Sequence, residues 1–127
     1  MTGKQAQTFG PYSPVRQAGN LYFTAGHLGV DMATKTVEPD IRIQTAHALD
    51  ALAETLASVG LTLNDVVKTT IFVTNMSDFA AINEVYIKRF SEPRPARSTV
   101  AVKELPRVAT NGAAKIEIEA IAARQES

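Results

Sequence analysis

Between Asp40 and Gly60 the chain keeps a period of 3.6 residues. Ile41, Thr45, Ala48, Leu49, Leu52, Ala53, Leu56 and Val59 share one side of a helical projection, and His47, Asp50 and Glu54 the other. Asp40, with Pro39 before it, can accept from the open amides of a first turn, and Gly60 supplies a stop. A helix with one apolar stripe must lay that stripe against a second layer. The rest of the chain supplies strands for it.

Val15–Ala18 and Leu21–Ala25 flank Gly19-Asn20 and read as a hairpin. Gly26 and Gly29 then interrupt the strand pattern around His27, and Asp31 to Pro39 reads as a polar loop. Val66–Val73 is rich in β-branched residues and forms a strand. A second helix is expected from a cap at Ser77 or Asp78 to about Phe90, with Phe79, Ile82, Tyr86 and Phe90 as its stripe; Pro93 and Pro95 end it. Ser98–Val102 alternates as a strand and Asn111-Gly112 marks a turn. Ala114–Ala123 is the last strand, with Ile116, Ile118 and Ala120 on one face. The order β-β-α-β-α-β-β predicts a two-layer α+β fold, a mixed sheet packed on two helices, in one domain spanning residues 1–127.

Composition narrows the function. With 127 residues, 45 % of them hydrophobic, the chain has enough for one modest core. A deep private pocket is harder to build at this size, so a pocket between subunits of an oligomer is expected. Thirteen basic and thirteen acidic residues are interspersed, and Arg94-Pro95-Ala96-Arg97 is the nearest approach to a basic run, which argues against nucleic acid as a partner. There is no cysteine, which excludes disulfides, thiolate catalysis and cysteine-based metal sites. His27 and His47 fit no metal-binding spacing, so neither metal nor cofactor is expected. No apolar run approaches the ~20 residues of a membrane span, and Met1–Ala6 lacks the apolar segment of a signal peptide. A cytoplasmic location is the expectation.

Several residues are candidates for chemistry. Arg97 stands at a strand entry among small and apolar residues. A solvated arginine is the ordinary reading of such a position; the functional one is a clamp, since a guanidinium matches a carboxylate with two parallel hydrogen bonds. Glu117 and Glu119 alternate in Lys115-Ile116-Glu117-Ile118-Glu119-Ala120 and share a strand face. A wet face explains the alternation; a carboxylate that orients a water is the alternative. Asn83 sits at the edge of the second helix's stripe, and Tyr12 in a Gly-Pro turn. His47 is expected on the solvated face of its helix, and His27 in a structural role. No serine or threonine has a histidine and aspartate at a hydrolase spacing.

At these residues the chain resembles the RidA/YjgF family of reactive intermediate deaminases. The resemblance runs through Gly10-Pro11-Tyr12, Phe23-Thr24-Ala25-Gly26, Val67 to Val73, Asp78-Phe79 with Asn83 and Tyr86, Pro95-Ala96-Arg97-Ser98, and Lys115 to Ala122. It implies a chorismate-mutase-like fold assembled as a homotrimer with clefts between subunits. The implied activity is hydrolysis of 2-imino and enamine acids to 2-keto acids and ammonia. By motif position Arg97 matches the carboxylate-binding arginine and Glu117 the glutamate that orients the attacking water; Tyr12 and Asn83 match cleft-lining positions, and backbone amides near Gly26 and Thr99 would help hold the substrate. Ala25 and Thr99 depart from the serine and cysteine common there, and the stretch from Pro106 to Ala114 is longer than in familiar members. Two other readings share these residues: a non-catalytic trimer that binds small carboxylates, and a ribonuclease or translation inhibitor, against which the neutral charge argues.

Overall fold

The expected helices and strands all form, and one short strand is added. The computed structural model describes residues 8–125. The tail expected before Phe9 falls mostly on residues 1–7, outside the described residues. In chain order the elements are β1 (Val15–Ala18), β2 (Leu21–Thr24), β3 (His27–Leu28), α1 (Ile41–Ala57), β4 (Val66–Val73), α2 (Phe79–Arg89), β5 (Ala96–Ala101) and β6 (Ile116–Ala123). Single 3₁₀ turns, Leu63–Asp65 and Met76–Asp78, lead into β4 and α2.

Helix α1 starts where Asp40 Oδ1 accepts from the Arg42 amide at 2.9 Å. It ends at Ser58, and Gly60 takes φ +78°, a conformation that costs a residue with a Cβ but not glycine. Its buried face includes Gln44 and Thr55, which the apolar period does not pick out, whereas Ala53 and Val59 are only half-buried. Gln44 is buried with a hydrogen bond at each end of its amide. It donates to Glu38 O (2.6 Å) and accepts from the Lys115 amide (2.8 Å), tying the approach to α1 to the start of β6. The start of α2 differs from expectation. Asp78 occupies the cap position without a side-chain cap bond; instead Asn75 caps the preceding 3₁₀ turn by accepting from the Ser77 amide.

The sheet runs β1-β2-β6-β4-β5, antiparallel except for β4 and β5, which are parallel and joined through α2. Strand β3 follows β2 along the same side of β6: β2 pairs with residues 121–123 and β3 with Glu117 and Ile118. The segment Gly26 to Gly29, expected as an interruption, therefore returns to the ladder. The gap between β2 and β3 is bridged by Thr24, whose hydroxyl accepts from the Ala120 amide at 3.0 Å.

Both helices cover one face of the sheet. Leu49, Leu52 and Leu56 of α1, Ile71 of β4, and Ile116 and Ile118 of β6 are fully buried there. Each such side chain contributes roughly 1.5–3 kcal/mol by leaving water. The opposite face is set by register. Phe72 pairs with Glu117 and Val100, Thr70 with Glu119 and Ser98, and Phe23 with Ile121. No helix of the described residues lies on it. Loops cover one end, where Leu28, Val30, Ala109 and Ala114 form a second apolar cluster with Met32, Val37 and Val108. The expected polar loop 31–39 thus contributes apolar packing. It is fastened to the Asn111-Gly112 turn by Asn111, which accepts from the Val37 amide (2.9 Å) and donates to its carbonyl (3.0 Å).

Candidate active site

Glu117 projects from the face of β6 away from the helices, beneath the covering loops. Its carboxylate rests against the backbone at Gly26: a Cβ there would lie 2.6 Å from Glu117 Cδ and 2.7 Å from Oε2. Only glycine leaves that space. Among the described residues no hydrogen-bond donor is fixed on the carboxylate, so both oxygens are open to a water or ligand. Partial burial raises its pKa above the ordinary carboxylate value, and the neighbouring negative charge of Glu119 adds to the effect. A carboxylate tuned upward is a better proton acceptor near neutral pH.

Glu117 opens onto a cavity of about 480 Å³ at the β3 edge of the sheet. Tyr12, Ala25 and Gly26 line it, together with His27, Glu54 and Thr55 from the helix side and apolar groups from the loops. Glu119, two residues on, does not line it. His27 Nε2 lies 2.7 Å from the buried Thr55 hydroxyl, linking β3 to α1. Burial lowers its pKa, opposed in part by the carbonyls of Ala25 and Ile118.

Arg97 lies elsewhere. It pairs with Thr69 on β4 and points to the helix side of the sheet. Its guanidinium carbon sits 4.8 Å from the ring centre of Tyr86 and 5.2 Å from that of Phe79. Tyr86 is itself fixed, by a 2.7 Å hydrogen bond with Thr69 and by packing at 4.6 Å against Phe90. The rings orient the guanidinium by cation–π attraction and leave its hydrogen-bonding edge free: among the described residues no carboxylate or carbonyl is bonded to it. Arg97, Asn83 and Tyr86 line a second cavity, of about 370 Å³. Thr99 is on the same side of β5, and its buried hydroxyl has no partner among the described residues.

The sequence-derived candidates thus divide into two sets. Tyr12, Gly26 and Glu117 surround one cavity; Asn83 and Arg97 line the other, with Thr99 beside Arg97 on the strand. From strand spacings the Arg97 and Glu117 backbones stand roughly 14 Å apart, with side chains on opposite faces of the sheet. One chain cannot bring both to the same small molecule. His27, Glu54, Thr55, Met32, Pro106 and Val108 also line the Glu117 cavity, and sequence reasoning did not assign them to a site. Glu54 stood only as a polar-face residue of α1. His47, expected to be solvated, is half-buried, and its Nδ1 is enclosed without a partner among the described residues. Among the described residues no three histidines, aspartates or glutamates are arranged to hold a metal ion, and no helix is long and apolar enough to cross a membrane.

Comparison with known proteins places this arrangement. The family model described as endoribonuclease L-PSP matches residues 2–124. The chain is 41 % identical over 125 residues to a RutC family protein of Pyrococcus horikoshii, covering 98 % of this chain and 95 % of that one. It is 40 % identical over 116 residues to a 2-iminobutanoate/2-iminopropanoate deaminase of Dermatophagoides farinae, covering 91 % and 87 %. The crystal structure of the YjgF gene product of E. coli superposes with a TM-score of 0.84 at 38 % identity, covering 95 % of this chain and 94 % of that one. Two helices on a mixed sheet, with these motifs spread over almost the whole length, make the chain a member of the RidA/YjgF family.

Proposed function

We propose that the protein hydrolyses 2-imino acids and their enamine tautomers to 2-keto acids and ammonia, without a cofactor, in the cytoplasm, at clefts between the subunits of a homotrimer. The observation that carries this reading is the separation of Arg97 from Glu117. A free carboxylate clamp on one face and a tuned, open carboxylate on the other are complementary halves, and a neighbouring subunit can supply the missing half. The deaminase activity named for the Dermatophagoides relative fits the chemistry of the two residues.

In this scheme Arg97 of one subunit holds the substrate carboxylate in its fork. Glu117 of the next holds a water and takes its proton as the oxygen bonds to the electrophilic imine carbon. Formed from the protonated imine, the adduct carries hydroxyl and neutral amine on one carbon. Glu117 returns the proton to the nitrogen, the C–N bond breaks, and ammonia leaves as the carbonyl forms, the hydroxyl proton passing back to Glu117. Positioning contributes most of the rate, because the imine carbon is already reactive. Tyr12 and Asn83 line the cleft, and backbone amides near Gly26 and Thr99 complete its polar contacts. The activity named in the family model's description fits less well, since an RNA phosphate would meet Glu54 and Glu117 in a cavity that no lysine or arginine among the described residues lines.

The test is complementation. Arg97→Ala and Glu117→Gln are each expected to be inactive as folded oligomers. Unfolded together in equal amounts and refolded, they recover about a quarter of wild-type turnover, because random assortment gives that share of clefts an intact Arg97 and an intact Glu117. Turnover by Arg97→Ala alone at the wild-type rate, or no recovery in mixed oligomers, sinks the shared-cleft scheme.

A further inference from the structure

We propose that the preferred substrates carry a large apolar side chain, as in imines derived from leucine or phenylalanine, and that this preference is set by Met32, Pro106 and Val108. The inference rests on the deaminase reading and deepens it. The Glu117 cavity holds about 480 Å³, the liquid volume of some sixteen waters at ~30 Å³ each. The seven heavy atoms of 2-iminobutanoate leave much of that space unused. Among the described residues no lysine or arginine lines the cavity, while Glu54 and Glu117 do. The substrate carboxylate is therefore excluded from it and must face the clamp, which leaves the cavity to the side chain.

The apolar walls are Phe9, Leu28, Met32, Pro106 and Val108, with Leu28 directly across the ladder from Glu117. They do not depend on loosely held loops. Leu28, Met32 and Val108 belong to the second apolar cluster. Asn111 bonds both backbone groups of Val37, and the Thr110 amide donates to Lys35 O at 2.9 Å. A wall fastened in this way stays open rather than collapsing onto a small ligand, so each methylene placed in it exchanges water for apolar contact. An acidic side chain in the same place meets two carboxylates.

The experiment generates imines in situ from alanine, 2-aminobutanoate, leucine, phenylalanine and glutamate with an amino acid oxidase. It measures kcat/KM for hydrolysis in competition with semicarbazide trapping. The leucine-derived imine, two carbons larger than 2-iminobutanoate, is expected to be favoured over it about tenfold, and the glutamate-derived imine to be the poorest. Val108→Phe should cut the leucine-to-alanine ratio about tenfold; Met32→Phe, from the other loop, should act in the same direction. Both variants are checked for folding by thermal melting. If the alanine- and 2-aminobutanoate-derived imines are hydrolysed as well as the leucine-derived one, the side-chain inference falls and the deaminase reading stands. A ratio unmoved in both folded variants removes these residues as its cause. If no imine is hydrolysed, the deaminase reading falls and this inference with it.

Discussion

Glu117 is held in a state that favours chemistry over stability. Its pKa is raised, so between the ordinary value of 4.5 and the raised one the folded chain binds more protons than the unfolded chain. Stability contributed by this group is therefore present in acid and lost as pH rises through that window. Glu117→Gln is expected to abolish turnover yet melt at or above the wild-type temperature at pH 7, with the difference closing below pH 4.5; a lower melting temperature at pH 7 would contradict this. His27 acts in the opposite sense. Its lowered pKa means that stability is lost as pH falls below the ordinary 6.5, and melting curves from pH 8 to pH 5 should show a decline that His27→Gln lacks. Gly26 is the steric counterpart of Glu117. Gly26→Ala places a methyl group against the carboxylate, and displacing a catalytic group by about 1 Å can lower turnover on the order of a hundredfold. Turnover unchanged in the folded variant would show that Glu117 moves aside freely.

At the scale of elements, what the sequence made legible was what depends on local period and chain geometry. The stripe of α1, the cap at Asp40, the alternation of β6 and the proline stop after α2 all lie in the order of residues, and all appear in the fold. Leu52, wholly buried between α1 and the sheet, should lose about 2–5 kcal/mol on replacement by alanine, readable by urea denaturation. Strand β3 escaped because two residues are too few to carry a period; it exists only because β6 offers them partners. Gln44 and Thr55 escaped for a related reason: polar side chains break the stripe and are buried through bonds to Glu38, Lys115 and His27, which lie far off or have no periodic signature. The position of Glu117 on its strand could be read in advance, while Arg97, expected just before a strand starting at Ser98, lies within β5, which begins at Ala96. Their opposite facing could not be read, because it follows from the parallel β4–β5 pairing and the antiparallel β4–β6 pairing acting together.

For the whole molecule, the uncovered sheet face matters most. Phe23 and Val100 are each more than 40 % exposed there, beside half-buried Phe72 and Ile121. An apolar surface of this kind on a small chain belongs to an interface. Val100→Asp is expected to turn the proposed trimer into monomers in sedimentation analysis and to abolish turnover with it; an active monomer would separate assembly from catalysis. The two kinds of information in the molecule are also stored differently. Arg97 and Glu117 sit on hydrogen-bonded rungs, where the gain or loss of one residue turns every following side chain to the other face. Pro106, Val108 and Met32 sit on loops, which accept changes in length. On the proposed scheme, lengthening or trimming a loop redirects the reaction to a different molecule, while the chemistry held on the rungs stays unaltered.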